Sequence, residues 1–186
     1  MGLGKIRGMR KLSLKELNRV DVATFKEQKK TPLVIVLDNV RSALNVGSAF
    51  RTADAFALER VYLCGITAKP PHREILKTAI GATESMDWVY FEETTSAIEH
   101  LKSEGFQILA VEQATDSVSL QEFKVEAGQK YALVFGNEVK GVEEEVMQMI
   151  DACLEVPQFG TKHSLNISVC LGVVVWDLFK QTRYQL

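Results

Sequence analysis

The stretch Leu33-Val-Ile-Val-Leu37, running straight into Asp38-Asn-Val-Arg41, decides the class of fold. Five consecutive apolar residues after Pro32 read as a strand buried on both faces, which belongs inside a parallel sheet. The exit from this strand narrows the choice. Asp38-Asn-Val-Arg41 holds no glycine loop for a pyrophosphate, and the G-x-G-x-x-G fingerprint is missing after every predicted strand. A nicotinamide enzyme on a Rossmann sheet is therefore disfavoured, and so are the common Rossmann-like methyltransferases.

Outward from this strand the pattern alternates. Val46, Ala49, Phe50, Ala53 and Ala57 fall on one face of a helix. Strands are expected at Arg60–Cys64, Trp88–Phe91, Phe106–Val111, Tyr131–Phe135 and Leu154–Val156. Helices are expected near Glu74–Ile80, at Thr95–Ser103 and from about Ser164 to Gln181. Upstream, Ser13-Leu-Lys-Glu16 fits a capping box that opens a short helix, with Leu14 and Leu17 as its apolar positions. Strands interleaved with helices predict an α/β fold, a mostly parallel sheet with helices on both faces.

At 186 residues and 46% hydrophobic content the chain fits one domain able to bury roughly 70% of its unfolded surface. The longest apolar stretch, Val169–Phe179, is broken by Gly172 and Asp177, so no membrane span is expected. With no visible signal peptide, a cytoplasmic protein is the expectation. Cys64, Cys153 and Cys170 lack metal spacing and read as buried thiols; no metal site is expected. The net charge of −2 hides an asymmetry. Residues 1–30 hold nine Lys or Arg against three acids, a balance of +6, so the remainder carries −8. A basic N-terminal extension ahead of a domain at 31–186 fits either a grip on phosphates or a solvated tail, and Met9 is a second plausible start.

Three polar, glycine-bearing blocks sit where strands end: Asn45-Val-Gly-Ser-Ala-Phe-Arg51, Phe135-Gly-Asn-Glu-Val-Lys-Gly141 and Gly160-Thr-Lys-His-Ser-Leu-Asn-Ile-Ser168. In type and order they resemble the three motifs of the SpoU/TrmH family of RNA 2′-O-ribose methyltransferases, over about residues 33–180. The resemblance implies a deep C-terminal trefoil knot, S-adenosyl-L-methionine as cofactor, tRNA or rRNA as substrate (tRNA slightly favoured by the short N-terminal extension), and a homodimer. Composition and periodicity show none of these. The runner-up reading is a noncatalytic RNA-binding protein that keeps the fold; binding of the cofactor separates the two.

Each block also has a plain structural reading. Six residues of helix advance about 9 Å and turn about 240°, so Asn45 and Arg51 do not share a face. Asn45 is expected at the helix N-cap and Arg51 at the rim of the core stripe, a common place for a surface ion pair. By resemblance both belong to the active site. Arginine stays protonated, so Arg51 is read as fixing an RNA phosphate and stabilising developing alkoxide charge, while Asn45 orients the ribose or Arg51. Gly136 removes a Cβ where another backbone or a flat ring approaches; Glu138 reads as a turn residue, and the resemblance makes it the acid that organises the site. The acid run Glu143–Glu145 looks like the first turn of a helix. Ser164 is expected at the N-cap of the last helix. The resemblance assigns the backbone of Val156 and Leu165 to the adenine, and the Ser164 and Asn166 side chains to the reaction centre. The resemblance also makes Gly136 and, less directly, Ala110 expected cofactor contacts. His163 suggests a general base, but the family does not use a histidine there. Finally, Val173-Val-Val-Trp176 is apolar around nearly its whole circumference, which points to a helix sandwiched in the domain or shared with a second subunit.

Overall fold

The computed structural model of the chain describes residues 9–13 and 15–184. The segment 1–8, with Lys5 and Arg7, and the predicted apolar position Leu14 lie outside the described residues. In chain order the elements are α1 (Val22–Glu27), β1 (Thr31–Asp38), α2 (Ala43–Ala55), β2 (Leu58–Cys64), α3 (Arg73–Ala79), α4 (Ala82–Ser85), β3 (Trp88–Phe91), α5 (Thr94–Ser103), β4 (Phe106–Val111), β5 (Val118–Ser119), β6 (Lys130–Phe135), α6 (Glu144–Met147), β7 (Ala152–Glu155) and α7 (Ile167–Tyr184).

One seven-stranded sheet in the order β3-β2-β1-β6-β4-β7-β5 organises the molecule, and every strand pairing in it is parallel. β1 lies inside, as its apolar run requires. Leu33, Ile35 and Leu37 face one core and Val34 and Val36 the other, because successive side chains of a strand point to opposite faces. The first core packs against α2 and α7 through Val46, Ala49, Phe50, Leu171, Val174 and Leu178. The second lies under α5 and α6, with Ala97, Ile98, Leu101 and Val146. Gly47 lets α2 and α3 touch: a Cβ there would sit 2.3 Å from the Ile75 carbonyl oxygen. Among the described residues, no helix is long and apolar enough to cross a membrane.

The N-terminal stretch is partly docked. Phe25 of α1 is buried in the first core, with Lys30 Nζ 3.3 Å from its ring centroid. Glu16 accepts hydrogen bonds from the Ser13 N–H at 2.8 Å and the Ser13 hydroxyl at 2.7 Å, so only the return half of the predicted box forms, the Glu16 N–H bonding to the Ser13 carbonyl instead, and a 3-10 turn at Lys15–Leu17 follows in place of an α-helix.

Candidate active site

Parallel strands deliver their carboxyl ends to one edge of the sheet, and there the second and third blocks meet. After β6 the chain turns back on itself across residues 136–142. Gly136 is required by its own chain: a Cβ would lie 2.1 Å from both the Gly141 carbonyl carbon and the Val142 nitrogen. Asn137 and Gly141 exchange two backbone hydrogen bonds of 2.9 Å, and Gly141 takes a φ of +74°. Asn137 braces this turn. Its Oδ1 accepts from the Val139 and Lys140 N–H groups, and its Nδ2 donates to the Asn39 carbonyl at 2.8 Å.

The turn holds Glu138 against the start of α2. Its carboxylate accepts from the Arg41 N–H at 2.9 Å, the Ser42 N–H at 3.0 Å and Asn45 Nδ2 at 2.9 Å. Burial pushes the Glu138 carboxyl up, but the donors from Arg41, Asn45 and Ser42 outweigh it and hold the group below the usual carboxylate range. This arrangement corrects the expected cap. Ser42 is the N-cap of α2, its side chain accepting from the Asn45 N–H at 3.3 Å. Asn45 sits in the first turn with its amide committed to Glu138.

Opposite lies the loop from β7 to α7. The expected cap is displaced here too. Ser164 is exposed in the loop, and Asn166 opens the helix: its Oδ1 accepts from the Ser168 N–H at 2.9 Å and its carbonyl from the Val169 and Cys170 N–H groups. Asn166 Nδ2 also points to Asn45 Oδ1 at 3.4 Å. Asn45, Glu138 and Asn166 thus form one connected polar group.

Between the two loops is a cavity of about 650 Å³, within the roughly 300–1,000 Å³ usual for small-molecule sites. Its apolar wall comes from Val111, Phe135, Leu154, Val156 and Ile167; its polar wall includes Glu112, Asn137, Glu138, Ser164 and Asn166. Gly136 and Leu165 line it as well. Ala110 does not: it is fully buried in the second core, and Val111, the last residue of β4, reaches the wall instead, followed by Glu112 and Gln113. Arg51 also lies off the lining, exposed in a separate shallow depression that includes Ser48, Thr52, Lys77 and Thr78. Cys170 lines the cavity, yet its thiol is pushed up to about 11, first by burial and then by Glu112, which disfavours the thiolate.

Sequence reasoning missed the pair Glu112-Gln113. Glu112 Oε2 accepts from the Val142 N–H at 3.3 Å, and Gln113 Nε2 donates to the His163 carbonyl at 2.8 Å. The dipeptide therefore fastens one loop to each side of β4. The available signal was two polar residues directly after an apolar strand, on the edge where α/β sheets bind ligands.

The profile of the SpoU rRNA Methylase family matches residues 32–176. The chain is 32% identical to a tRNA (guanosine(18)-2′-O)-methyltransferase of Aquifex aeolicus over 173 residues, 90% of this chain and 77% of that protein. It is 26% identical to a 23S rRNA (guanosine-2′-O-)-methyltransferase of Vibrio vulnificus over 168 residues, 90% of this chain and 66% of that one. The fold matches the crystal structure of an AdoMet-bound rRNA methyltransferase from Sinorhizobium meliloti, with a TM-score of 0.76 and 24% identity, across 87% of this chain and 60% of that one. The family match spans the sheet, both loops and the start of α2. This chain belongs to the SpoU rRNA methylase family.

Proposed function

We propose that the protein is an RNA methyltransferase that uses S-adenosyl-L-methionine to methylate a ribose 2′-hydroxyl of tRNA or rRNA. The observation that carries this reading is the cavity of about 650 Å³ between the two loops, lined by Glu138 and Asn166, both of which hydrogen-bond to Asn45 behind them. The cofactor fits the residues present. The apolar wall suits a purine, and backbone at Gly136, Val156 and Leu165 offers donors and acceptors beside it. Bound there, the cofactor would supply an electrophilic methyl group for the ribose oxygen and leave as the neutral thioether, with the hydroxyl proton passing to the RNA phosphate that Arg51 binds.

The chain's residues prepare that transfer. Ser164 and Asn166 present polar side chains to the acceptor ribose, and Asn45 is locked in orientation by Glu138. Glu138 itself accepts three hydrogen bonds, which suits an organising role better than that of a free base. Arg51 binds an RNA phosphate and stabilises charge as the oxygen loses its proton. Because it lies off its own chain's cavity, we assign that contact to a homodimer in which Arg51 serves the partner's site. The exposed apolar residues Val169, Val173 and Trp176 on the outer side of α7 form the dimer face. The same reading places the loop after β7 and α7 in a trefoil knot, residues 1–30 as a basic extension that follows the RNA backbone, and the protein in the cytoplasm with its substrate.

tRNA is slightly favoured over rRNA, as the compact N-terminal extension suggests. The test is transfer of a labelled methyl group to RNA from cells lacking the protein, with the modified ribose mapped. Arg51→Ala should reduce transfer at least a hundredfold while cofactor affinity, measured by calorimetry, changes less than threefold. Failure of the wild-type protein to bind the cofactor would favour a noncatalytic RNA-binding role.

A further inference from the structure

Glu112 stands apart from the connected group of Asn45, Glu138 and Asn166, yet its surroundings are built for it. It comes directly after the last residue of β4, between the ends of β6 and β7, and it lines the cavity. Gly141 makes room for the carboxylate: a Cβ at that position would lie 2.3 Å from Glu112 Oε2. Two backbone groups fix the carboxylate's orientation, the Gln113 N–H to Oε1 at 2.9 Å and the Val142 N–H to Oε2 at 3.3 Å.

The cavity lining holds two carboxylates, and counting acceptor sites separates them. An ionised carboxylate offers about four lone-pair positions. Glu138 uses three of them on Arg41, Ser42 and Asn45. Glu112 uses one on each oxygen, which leaves one free acceptor on each. A pair of free acceptors on adjacent oxygens matches two neighbouring hydroxyl donors. The vicinal 2′- and 3′-hydroxyls of a ribose are such a pair, and an acid at the carboxyl end of a parallel strand is a known device for holding a ribose in nucleotide-binding α/β sheets. The apolar residues Val111, Phe135, Leu154 and Val156 lie on the same lining, as a purine attached to that ribose would require.

We propose that Glu112 accepts hydrogen bonds from the 2′- and 3′-hydroxyls of the cofactor's own ribose, and so selects ribonucleosides over deoxynucleosides. This rests on the proposed use of S-adenosyl-L-methionine by the same cavity. It makes Glu112 a specificity-determining residue of the cofactor pocket, separate from the groups that meet the RNA.

The experiment is calorimetric titration of the wild-type protein and Glu112→Gln with S-adenosylhomocysteine, 5′-deoxy-5′-methylthioadenosine and the 3′-deoxy form of the latter. Wild type should bind the diol compound about tenfold more tightly than its 3′-deoxy form, the scale of one hydrogen bond to a charged group. Glu112→Gln should weaken both diol ligands by a similar factor and bring the diol to 3′-deoxy ratio close to one. That lost discrimination is not expected if the carboxylate merely braces the loop, and it can be read even if the variant is less stable. Discrimination retained in Glu112→Gln would overturn the assignment. So would a loss confined to S-adenosylhomocysteine, which would place the carboxylate at the amino-acid tail. The same preference for the diol can be measured in wild type alone, and its absence there would overturn the assignment as well. Wild type that binds neither diol ligand would defeat the cofactor reading and this inference with it.

Discussion

Glu138 sits 93 residues from Asn45 and 97 from Arg41, yet its two oxygens complete the first turn of their helix. A carboxylate there satisfies donors that a helix start leaves open and complements the positive end of the helix dipole. Its pH effect has a definite sign. The folded protein holds this carboxyl below its ordinary value of 4.5, so the stabilisation is complete above that value and is lost as pH falls through the lower folded value. Urea unfolding of wild type and Glu138→Gln should therefore differ most near neutrality and converge as the carboxyl becomes protonated on acidification. A gap that widens on acidification would contradict this account. The same carboxylate fixes Asn45, whose Nδ2 donates to it from inside the first turn, while Ser42 takes the cap.

Among the elements, α7 is the most telling. One side buries Leu171, Val174, Val175 and Leu178; the other leaves Val169 53%, Val173 41% and Trp176 48% exposed. Trp176 is held by Phe56 and Phe179, with ring centroids 5.8 and 5.9 Å away, so the outer face is ordered as well as apolar. Trp176→Glu should give monomers or insoluble protein in light scattering after gel filtration; a well-folded dimeric variant would argue against the proposed face. A second packing test is Gly47→Ala, which drives a methyl into the α3 backbone and should cost about 1–3 kcal/mol of stability in urea. The long elements were legible because burial on two faces writes uninterrupted apolar runs, as at Leu33–Leu37, and one-sided helices write periodic ones, as at Val46–Ala53. α1, α4 and β5 were not, since they are too short to show a period. Both N-caps were misplaced for one reason: several residues near each helix start are good cappers, and contacts from distant segments decide among them. Glycine and acid in the second block were recognisable, whereas the importance of Glu112 depends on an N–H thirty residues away at Val142.

At the scale of the molecule, the ends of β4, β6 and β7 and the start of α2 hold one another through Glu138, Glu112 and Gln113, so the pocket and the fold share supports. A ligand bound there should stabilise the whole domain. S-adenosylhomocysteine at a hundred times its dissociation constant should add about 2.7 kcal/mol, seen as a rise in the thermal midpoint; no rise at saturating ligand would break the link between pocket and fold. β1 is made early, but its second neighbour is β6, about a hundred residues downstream. During vectorial synthesis, therefore, one edge of the most apolar strand stays open for most of the nascent chain's emergence. The interior closes only once the ribosome has released Tyr131–Phe135, which makes late closure part of this topology.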